Sequence, residues 1–203
     1  MGITLQQFKQ MKERLGGPRS RTASPVFDAA PLGGHTVHQV ILGLDPSLRG
    51  TGFGIIQLAK PHPLALNHGT ISCPASWPHS RCLAHIASTL RGVLRQHRPT
   101  ACVVEGLFYA QNFQTAIVMG EARGAALAVI AEAGLDVYEI APRKVKQAIV
   151  GHGAAQKSAV AKMVQRVLNL GQPPAPDAAD ALALAIAHAQ EHSRYNLRPP
   201  KKI

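Results

Sequence analysis

The order of strand-like and helix-like segments constrains the fold of this chain more than any other feature of its sequence. Two apolar segments, residues 38–44 (HQVILGL) and 51–59 (TGFGIIQLA), flank the turn-like sequence PSLRG, a pattern typical of an antiparallel hairpin. Residues 64–72 can supply a third strand. Short apolar runs at 101–104 (ACVV) and 136–140 predict two further strands, the first of them buried on both faces.

Helical patterns fill the segments between and after the later strands. Apolar residues recur at helical spacing over 79–97, and a segment over about 114–133, rich in glycine and alanine, predicts a helix that packs tightly on the sheet. Two basic helical segments (PRKVKQAIV and AQKSAVAKMVQRVLN) precede a last apolar helix over about 177–190. This order predicts an α/β fold, in which a five-stranded mixed sheet, its first three strands antiparallel, is flanked by helices.

The charge of the chain is strongly one-sided. Its 203 residues include 22 lysines and arginines but only 11 aspartates and glutamates, which gives a formal net charge of +11. A folded, acid-poor and basic protein is most simply a binder of polyanions, of which nucleic acid is the commonest. No uninterrupted apolar stretch approaches the ~18 residues of a membrane-spanning helix, so we expect no membrane partner. Three cysteines without a CxxC pair predict a reduced, cytoplasmic protein.

The two ends of the chain differ in composition from its middle. Residues 1–37 combine a short amphipathic stretch with the sequence GGPRSRTASP, and they lack the apolar core of a secretory signal. A flexible basic extension and an organelle-targeting segment are both compatible with this composition. Residues 193–203, which end in RPPKKI, predict a basic disordered tail. The folded domain is therefore expected over residues 38–192.

The few acidic residues occupy unusual positions. No aspartate or glutamate lies between Asp45 and Glu105, and each of these residues ends an apolar strand, where open α/β sheets place their ligand sites. Asp177 and Asp180 begin the last predicted helix, and a spacing of three places both on one helix face. The structural alternatives are a turn start for Asp45 and a helix cap for the pair. Glu105 has no such local role, because a glutamate at the end of this strand is not needed to hydrogen-bond a nearby backbone group.

Convergence of these acids on one side of the sheet would require positive charge. Like charges ~4 Å apart repel by about 4 kcal/mol per pair at an effective dielectric constant of 20, so cations or protons must neutralise such a cluster. Oxygen-only ligands favour Mg²⁺ or Mn²⁺ over Zn²⁺. Two hard cations among four carboxylates are the means of two-metal phosphodiester hydrolysis, which agrees with the basic character of the chain.

Four blocks of the sequence, in order, closely resemble the RuvC family of Holliday-junction resolvases. They are ILGLDPSLRGTGFGII, VVEGLFYAQNFQTAIVMGEARGAALAVI, APRKVKQAIVGHGAAQKSAV and PDAADALALAIAHA, which span about residues 38–192. The resemblance implies a ribonuclease H-like fold. It also implies a homodimeric endonuclease that resolves four-way DNA junctions by symmetric paired nicks, leaving 5′-phosphate and 3′-hydroxyl ends, in recombination and repair. A branch-migration complex, formed by a junction-binding protein and a ring ATPase, is a further candidate partner.

The resemblance also implies roles for individual residues. The family's catalytic and metal-binding carboxylates match Asp45, Glu105, Asp177 and Asp180, with two Mg²⁺ ions per site and Mn²⁺ as a substitute. The candidate DNA-binding residues are Phe108, Tyr109, Asn112, Arg143, Lys146 and Lys157. Among them, Phe108 is expected to stack on a base at the opened crossover, and the lysines to grip phosphates. The helix that contains GEARG is expected to help form the dimer.

This chain departs from the usual family pattern at two positions. Ser47 follows Asp45 and Pro46 where the family usually has glycine, in the sequence DPG, so the backbone conformation of that loop is in question. Gly106 stands where glutamine is common, so any contact from that side chain is absent.

Two other functions are weighed against the nuclease. One is a nuclease fold that only binds junctions, which the presence of all four carboxylates disfavours. The other is a sugar-kinase or actin-like ATPase, for whose phosphate turn DPSLRGTG is a poor match. Apart from the resemblance, Phe108 also fits a core aromatic residue, and the two lysines fit solvated helix residues.

Overall fold

Six strands form one mixed sheet in the computed structural model of this chain, which describes residues 38–106, 112–193 and 201–203. The strands are β1 (Val40–Asp45), β2 (Gly50–Gln57), β3 (Leu64–Ser72), β4 (Ala101–Glu105), β5 (Val137–Ile140) and β6 (Lys201–Lys202). Their spatial order is β3-β2-β1-β4-β5-β6. The first three strands are antiparallel, as predicted, β4 and β5 run parallel to β1, and β6 runs antiparallel to β5.

The sixth strand lies where the sequence predicts a disordered tail. Lys201 pairs with Glu139 and Lys202 pairs with Tyr138 across β5, and Lys202 Nζ lies 2.7 Å from Asp136 Oδ1. The prediction of five strands was therefore one short. A strand of two lysines has no apolar periodicity from which it could be predicted.

Five helices within the described residues cover the two faces of the sheet. They are α1 (His79–His97), α2 (Phe113–Glu132), α3 (Pro142–Val150), α4 (Lys157–Val167) and α5 (Pro176–Ser193). All five lie where the apolar patterns predict them, with ends displaced by a few residues at most. By length and composition alone, α2 could cross a membrane. It packs against α1 and buries Ala122, Ala126 and Ile130 in the core, but only 28% of its apolar stretch is buried, so packing accounts for part of its apolar character.

Alternation along the strands divides the apolar side chains between two cores. One core joins Leu42, Leu44, Ile55, Cys102 and Val104 to α1 and α2. The other joins Ile41, Ile56, Val103 and Ile140 to α3, α4 and α5. Because successive side chains point to opposite faces, Asp45 shares the face of Ile41, and Glu105 shares the face of Val103. Both acids therefore lie on the side of the sheet that α5 covers.

The close approach of α5 to the sheet depends on small residues. A Cβ atom on Gly43 would overlap the carbonyl oxygen of Ala181, and one on Gly52 would overlap that of Asp177. No larger residue fits at either position while the helix stays where it is. The tight helix-on-sheet packing that the sequence predicts for α2 is found here instead, since Cβ atoms added to Gly120 and Gly124 would meet open space.

Candidate active site

The four predicted carboxylates converge at one edge of the sheet. Leu44 of β1 pairs with Val104 of the parallel strand β4, so Asp45 and Glu105 follow side by side at the carboxyl ends of these strands. The first two turns of α5 bring Asp180 within electrostatic reach of both, and Asp177 within reach of Asp45. All four residues are partly buried. The close packing of α5 on β1 and β2 therefore brings Asp177 and Asp180 to Asp45, which lies more than 130 residues earlier in the sequence.

Burial and mutual repulsion raise the pKa values of two of these carboxyl groups. Burial is the largest cause for Glu105, and repulsion by Asp45 and Asp180 adds to it, which raises its pKa to about 7. Burial also comes first for Asp45, whose pKa is raised further by Asp180 and Asp177. The charge of Asp45 is one of the causes that raise the pKa of Glu105, so the two carboxyl groups disfavour each other's ionisation. The carboxylate cluster is thus unfavourable unless positive charge neutralises it.

Lys157 supplies part of this charge. Its Nζ lies 2.7 Å from Asp180 Oδ2, and this hydrogen bond is the main reason that the pKa of the lysine is raised. The charges of Asp45 and Glu105 raise it further. The sequence places Lys157 among the phosphate contacts, whereas the structure also places it in the carboxylate cluster. Its side chain is 71% exposed, so it can also reach an anionic ligand from solvent.

A cleft of about 180 Å³ adjoins the carboxylates. Its polar lining consists of Glu105, Lys146, Lys157 and Asp180, and side chains of α3, α4 and α5 form its apolar walls. Lys146 therefore lies beside the acids, as expected of a phosphate-binding residue. Two cationic side chains next to a cluster of acids suit a ligand that is itself anionic and is held partly through cations.

The donor set of the cluster fits a hard divalent cation, because it contains carboxylate oxygens alone. The raised pKa values of Asp45 and Glu105 show that these groups ionise at a cost, which a bound cation would remove. Within the described ranges, no three histidine, cysteine, aspartate or glutamate side chains are already gathered into a metal-binding group. Lys157 occupies one oxygen of Asp180, so a cation at that oxygen requires the lysine to release it.

Asn112 and Arg143, the other two candidate DNA-binding residues that the structure describes, do not line the cleft. Asn112 is the N-cap of α2, and its Oδ1 accepts a hydrogen bond from the amide of Gln114 at 2.9 Å. Arg143 is exposed and lies against Gly153 in the turn before α4. Phe108 and Tyr109 lie outside the described residues.

The two departures from the family pattern have simple structural answers. The hydroxyl of Thr51 donates to the carbonyl of Ser47 at 2.6 Å and accepts from its amide at 3.2 Å, which closes the loop after β1. Ser47 is not among the described non-glycine residues with positive φ, so the loop does not need glycine there. The amide of Gly106 donates to the carbonyl of Ile140 at 2.8 Å, which ties the end of β4 to β5 without a side chain.

Sequence reasoning missed Arg123, whose guanidinium donates hydrogen bonds to the main chain of Glu105 and to the carboxylate of Glu139. The available signal was a lone arginine in a segment of small residues (GEARGAA). The exposed Lys162 and Arg166 of α4 were also missed as candidate DNA contacts. Their signal was the absence of any acid between Glu139 and Asp177, which leaves the surface of α3 and α4 with positive charge only.

Comparisons with known proteins agree with this geometry. The family model "Crossover junction endodeoxyribonuclease RuvC" matches residues 41–188. RuvC of Chloroflexus aurantiacus is 42% identical over 149 residues, which are 73% of this chain and 91% of that protein. RuvC of Protochlamydia amoebophila is 44% identical over 152 residues, or 74% and 90%.

A solved structure confirms the ribonuclease H-like fold. Thermus thermophilus RuvC in complex with a Holliday junction substrate matches with a TM-score of 0.75 and 33% identity, covering 82% of this chain and 100% of that one. The yeast mitochondrial resolvase Ydc2, at 12% identity and a TM-score of 0.53, shares the fold. With these matches and an acidic cluster at the shared edge of β1 and β4, the chain belongs to the RuvC family of crossover junction endodeoxyribonucleases.

Proposed function

We propose that this protein resolves four-way DNA junctions by symmetric paired nicks at the site formed by Asp45, Glu105, Asp177 and Asp180. The observation that supports this most directly is a cleft in which Glu105 and Asp180 lie beside Lys146 and Lys157, with Asp45 and Asp177 close enough to interact electrostatically with this cluster. Only 11 acids occur in a chain of net charge +11, so four of them at one edge of the sheet form a cluster that general solubility does not require. The pKa of Glu105, raised to about 7, records how unfavourable the cluster is without cations.

The carboxylates would hold two Mg²⁺ ions, with Mn²⁺ as a substitute. When bound, such ions generate a nucleophilic hydroxide from water and neutralise charge on the scissile phosphate. Asp45 and Glu105 extend from rigid strand ends, and Asp177 and Asp180 from a helix whose position the sheet glycines fix. The protein's own contribution is therefore to hold these carboxylate oxygens in a fixed arrangement around the cations.

The basic surface of α3 and α4 would bind the phosphates that flank the cut. Lys146 lies in the cleft and Lys157 reaches out of it, while Arg143, Lys162 and Arg166 are exposed farther along the same acid-free surface. Contacts of this kind hold the DNA in register and carry no sequence preference.

Phe108 would stack on a base unpaired at the crossover, where an aromatic ring contributes about 1–3 kcal/mol. It follows the proposed metal ligand Glu105 by three residues, so it can reach the base next to the bound phosphate. Tyr109 and Asn112 are the further DNA contacts that the resemblance implies nearby. The side chain of Asn112 already caps α2 and would contribute through its remaining amide group.

A second copy of the chain would complete the enzyme. Phe113 and Ile117, one turn apart on α2, are 79% and 48% exposed, which makes an apolar surface of the kind that interfaces bury. Two copies related by a twofold axis would present two active sites to the two strands that must be cut. The branch-migration complex and the cytoplasmic, nucleoid-associated location stay predictions. So do the roles of residues 1–37, including organelle targeting.

A mobile synthetic four-way junction provides the test. In Mg²⁺ we expect paired nicks on opposite strands, and a linear duplex of the same sequence should stay intact. Ca²⁺ should permit binding and suppress cleavage, because this larger ion relaxes the octahedral geometry of the site. Equal cleavage in the two ions would contradict the proposed metal site. Binding without nicks in Mg²⁺ and Mn²⁺ would favour the junction-binding alternative.

A further inference from the structure

We propose that Arg123 is a positioning residue, which fixes the end of β4 from the opposite face of the sheet and thereby sets the position of Glu105. The inference rests on the proposed role of Glu105 as a metal-binding carboxylate. Arg123 lies in α2, and it is only 7% exposed. Its function would be to hold the strand end in place, since it contributes nothing to the carboxylate cluster itself.

Two hydrogen bonds join Arg123 to two different strands. Its Nη1 donates to the main-chain carbonyl of Glu105, the last residue of β4, at 2.5 Å. Its Nη2 donates to Oε2 of Glu139 in β5, also at 2.5 Å. The guanidinium presents donors in a fixed planar arrangement, so these two contacts determine each other's position. Arg123 therefore ties α2 to the ends of two neighbouring strands.

The contact replaces a donor that β1 cannot supply. β1 and β4 are parallel and Leu44 pairs with Val104, so the next amide of β1 that could meet the carbonyl of Glu105 is that of residue 46. Residue 46 is a proline, which has no N–H to donate. The sheet therefore supplies no donor to this carbonyl. Without Arg123, the end of β4 would lose one of the hydrogen bonds that fix it.

Arg123 acts from the side of the sheet away from the cluster. Glu105 directs its carboxylate to the α5 face, where it interacts with Asp45 and Asp180. Glu139 instead meets Arg123 of α2, as the period-two alternation along β5 requires. Arg123 touches Glu105 at its main chain alone. It can affect cleavage only through the position of Glu105, which distinguishes it from a residue that binds DNA or the cations.

The amide of Gly106 completes the arrangement. It donates to the carbonyl of Ile140 at 2.8 Å. Both polar groups of the peptide that joins Glu105 to Gly106, its carbonyl and its amide, are therefore fixed by hydrogen bonds. Loss of one such supporting contact typically lowers metal affinity or activity by about 10–100-fold. We expect an effect of this size from removal of Arg123.

Two substitutions at this position separate the contacts. Arg123→Met removes both hydrogen bonds. Arg123→Lys keeps a positive charge beside Glu139 but cannot span both acceptors, because its ammonium group is compact. At saturating junction and Mg²⁺, we expect the single-turnover cleavage rate to fall by about 100-fold in Arg123→Met and by about 10-fold in Arg123→Lys. Junction affinity in Ca²⁺ should stay within about twofold of the wild type, because the basic surface is untouched.

The matched control is Arg91→Met. Arg91 of α1 donates to Oε2 of Glu132 at 3.0 and 3.3 Å, so it also forms an arginine–glutamate pair with α2, but this pair is exposed and does not touch β4. It should leave cleavage unchanged. All rates should be measured well below the melting temperature of the least stable variant. Calorimetric titration of the DNA-free protein with Mg²⁺ gives a second readout, in which we expect weaker binding by both Arg123 variants and wild-type binding by Arg91→Met.

Two results would overturn the inference. One is a wild-type cleavage rate in either folded Arg123 variant, and the other is an equal loss of junction binding and cleavage. If Arg123→Met does not fold, Arg123→Lys decides by the same criteria. Glu105→Gln separates this inference from the proposed function. Loss of cleavage in Glu105→Gln, with normal cleavage in Arg123→Lys, would remove the role of Arg123 alone. Normal cleavage in Glu105→Gln would remove the proposed metal site as well.

Discussion

The two faces of the sheet are packed in different ways. On the face of α1 and α2, bulky side chains such as Ile86, Leu90 and Ile130 fill the space between helix and strand. On the face of α5, glycines of the sheet lie directly against the helix main chain, as Gly43 does against Ala181. The first arrangement buries much apolar area. The second leaves little freedom in the distance between helix and sheet, because main-chain atoms in contact cannot move closer.

This difference explains where the acids lie. Aspartate side chains are short, so Asp177 and Asp180 can meet Asp45 and Glu105 only if α5 is close to the sheet and stays at a fixed distance. We call the face covered by α1 and α2 the bulky face and the face covered by α5 the close face. A side chain on the bulky face can lose a methylene group while the fold persists, whereas a larger residue on the close face must move the carboxylates. We therefore expect substitutions on the two faces to affect stability and cleavage in different proportions.

The largest effect is expected from Gly52→Ala, on the close face. The added Cβ would overlap the carbonyl oxygen of Asp177, so the first turn of α5 must move outward. A displacement of about 1 Å at a catalytic group can cost about 100-fold in rate, and overpacking costs about 1–3 kcal/mol of stability. We expect single-turnover cleavage to fall by about 100-fold at a temperature where the variant is folded. Wild-type cleavage by a folded Gly52→Ala would show that this distance does not matter.

Ile86→Ala tests the bulky face. Ile86 lies fully buried in α1, and truncation of such a residue costs about 2–5 kcal/mol through lost burial and the cavity left behind. Urea unfolding should show this loss. The cleavage rate per folded molecule should stay within about threefold of the wild type, because α1 does not carry the acids. A loss of cleavage as large as that of Gly52→Ala would erase the proposed difference between the faces.

The pH dependence of stability tests the charge on the close face. The pKa of Glu105 is raised from its ordinary value of 4.5 to about 7 by burial and by the charges of Asp45 and Asp180. Between these values the native state holds a proton that the unfolded state has released. Without metal, stability therefore falls as pH rises through this window, and the cost is fully present above pH ~7.

Glu105→Gln should remove this cost. In EDTA at pH ~8 we expect the variant to be more stable than the wild type by on the order of 2 kcal/mol, and its stability to change less with pH. Thermal unfolding in a pH series measures both effects. Glu132→Gln, at an exposed carboxylate of α2, serves as the control and should follow the wild-type curve. Parallel curves for Glu105→Gln and the wild type would mean that the cluster carries no such cost.

The smallest effect is expected from Gly92→Ala, which makes the same substitution as Gly52→Ala on the bulky face. Gly92 lies inside α1, and a Cβ added there would meet no other atom within 4 Å. Alanine should raise the free energy of unfolding by about 0.5–1 kcal/mol, because glycine is unfavourable in a helix interior. Cleavage should not change. A loss of stability in urea unfolding would contradict the open space on this side of α1.

Most of the fold and the acidic cluster could be predicted from the sequence, because both depend on local patterns. Hydrophobic periodicity predicts the first five strands and the helices. Asp45 and Glu105 each end an apolar strand, which places both acids at the same edge of the sheet. The sequence could not predict β6, because this strand of two lysines pairs with β5 through main-chain hydrogen bonds and has no apolar alternation. Their side chains give no pattern.

The contacts of the site were harder to predict than its members. Arg123 meets a main-chain carbonyl on another strand, and no residue pattern records which carbonyl lacks a donor. The ion pair of Lys157 with Asp180 depends on the angle at which α4 enters the site. The close helix was likewise assigned to α2 from its glycines, whereas the glycines that matter lie in β1 and β2 and face α5. Such features depend on tertiary distances.

The most direct test of the account compares Asp45→Asn with the wild type on one mobile four-way junction. The amide keeps the shape of Asp45 but weakens its binding of a cation, and it leaves the basic surface of α3 and α4 unchanged. In Mg²⁺ we predict no detectable paired nicks from the variant, with a junction affinity within about twofold of the wild type. Near-normal paired nicking by Asp45→Asn would contradict the claim that the carboxylates at the edge of β1 and β4 form the active site.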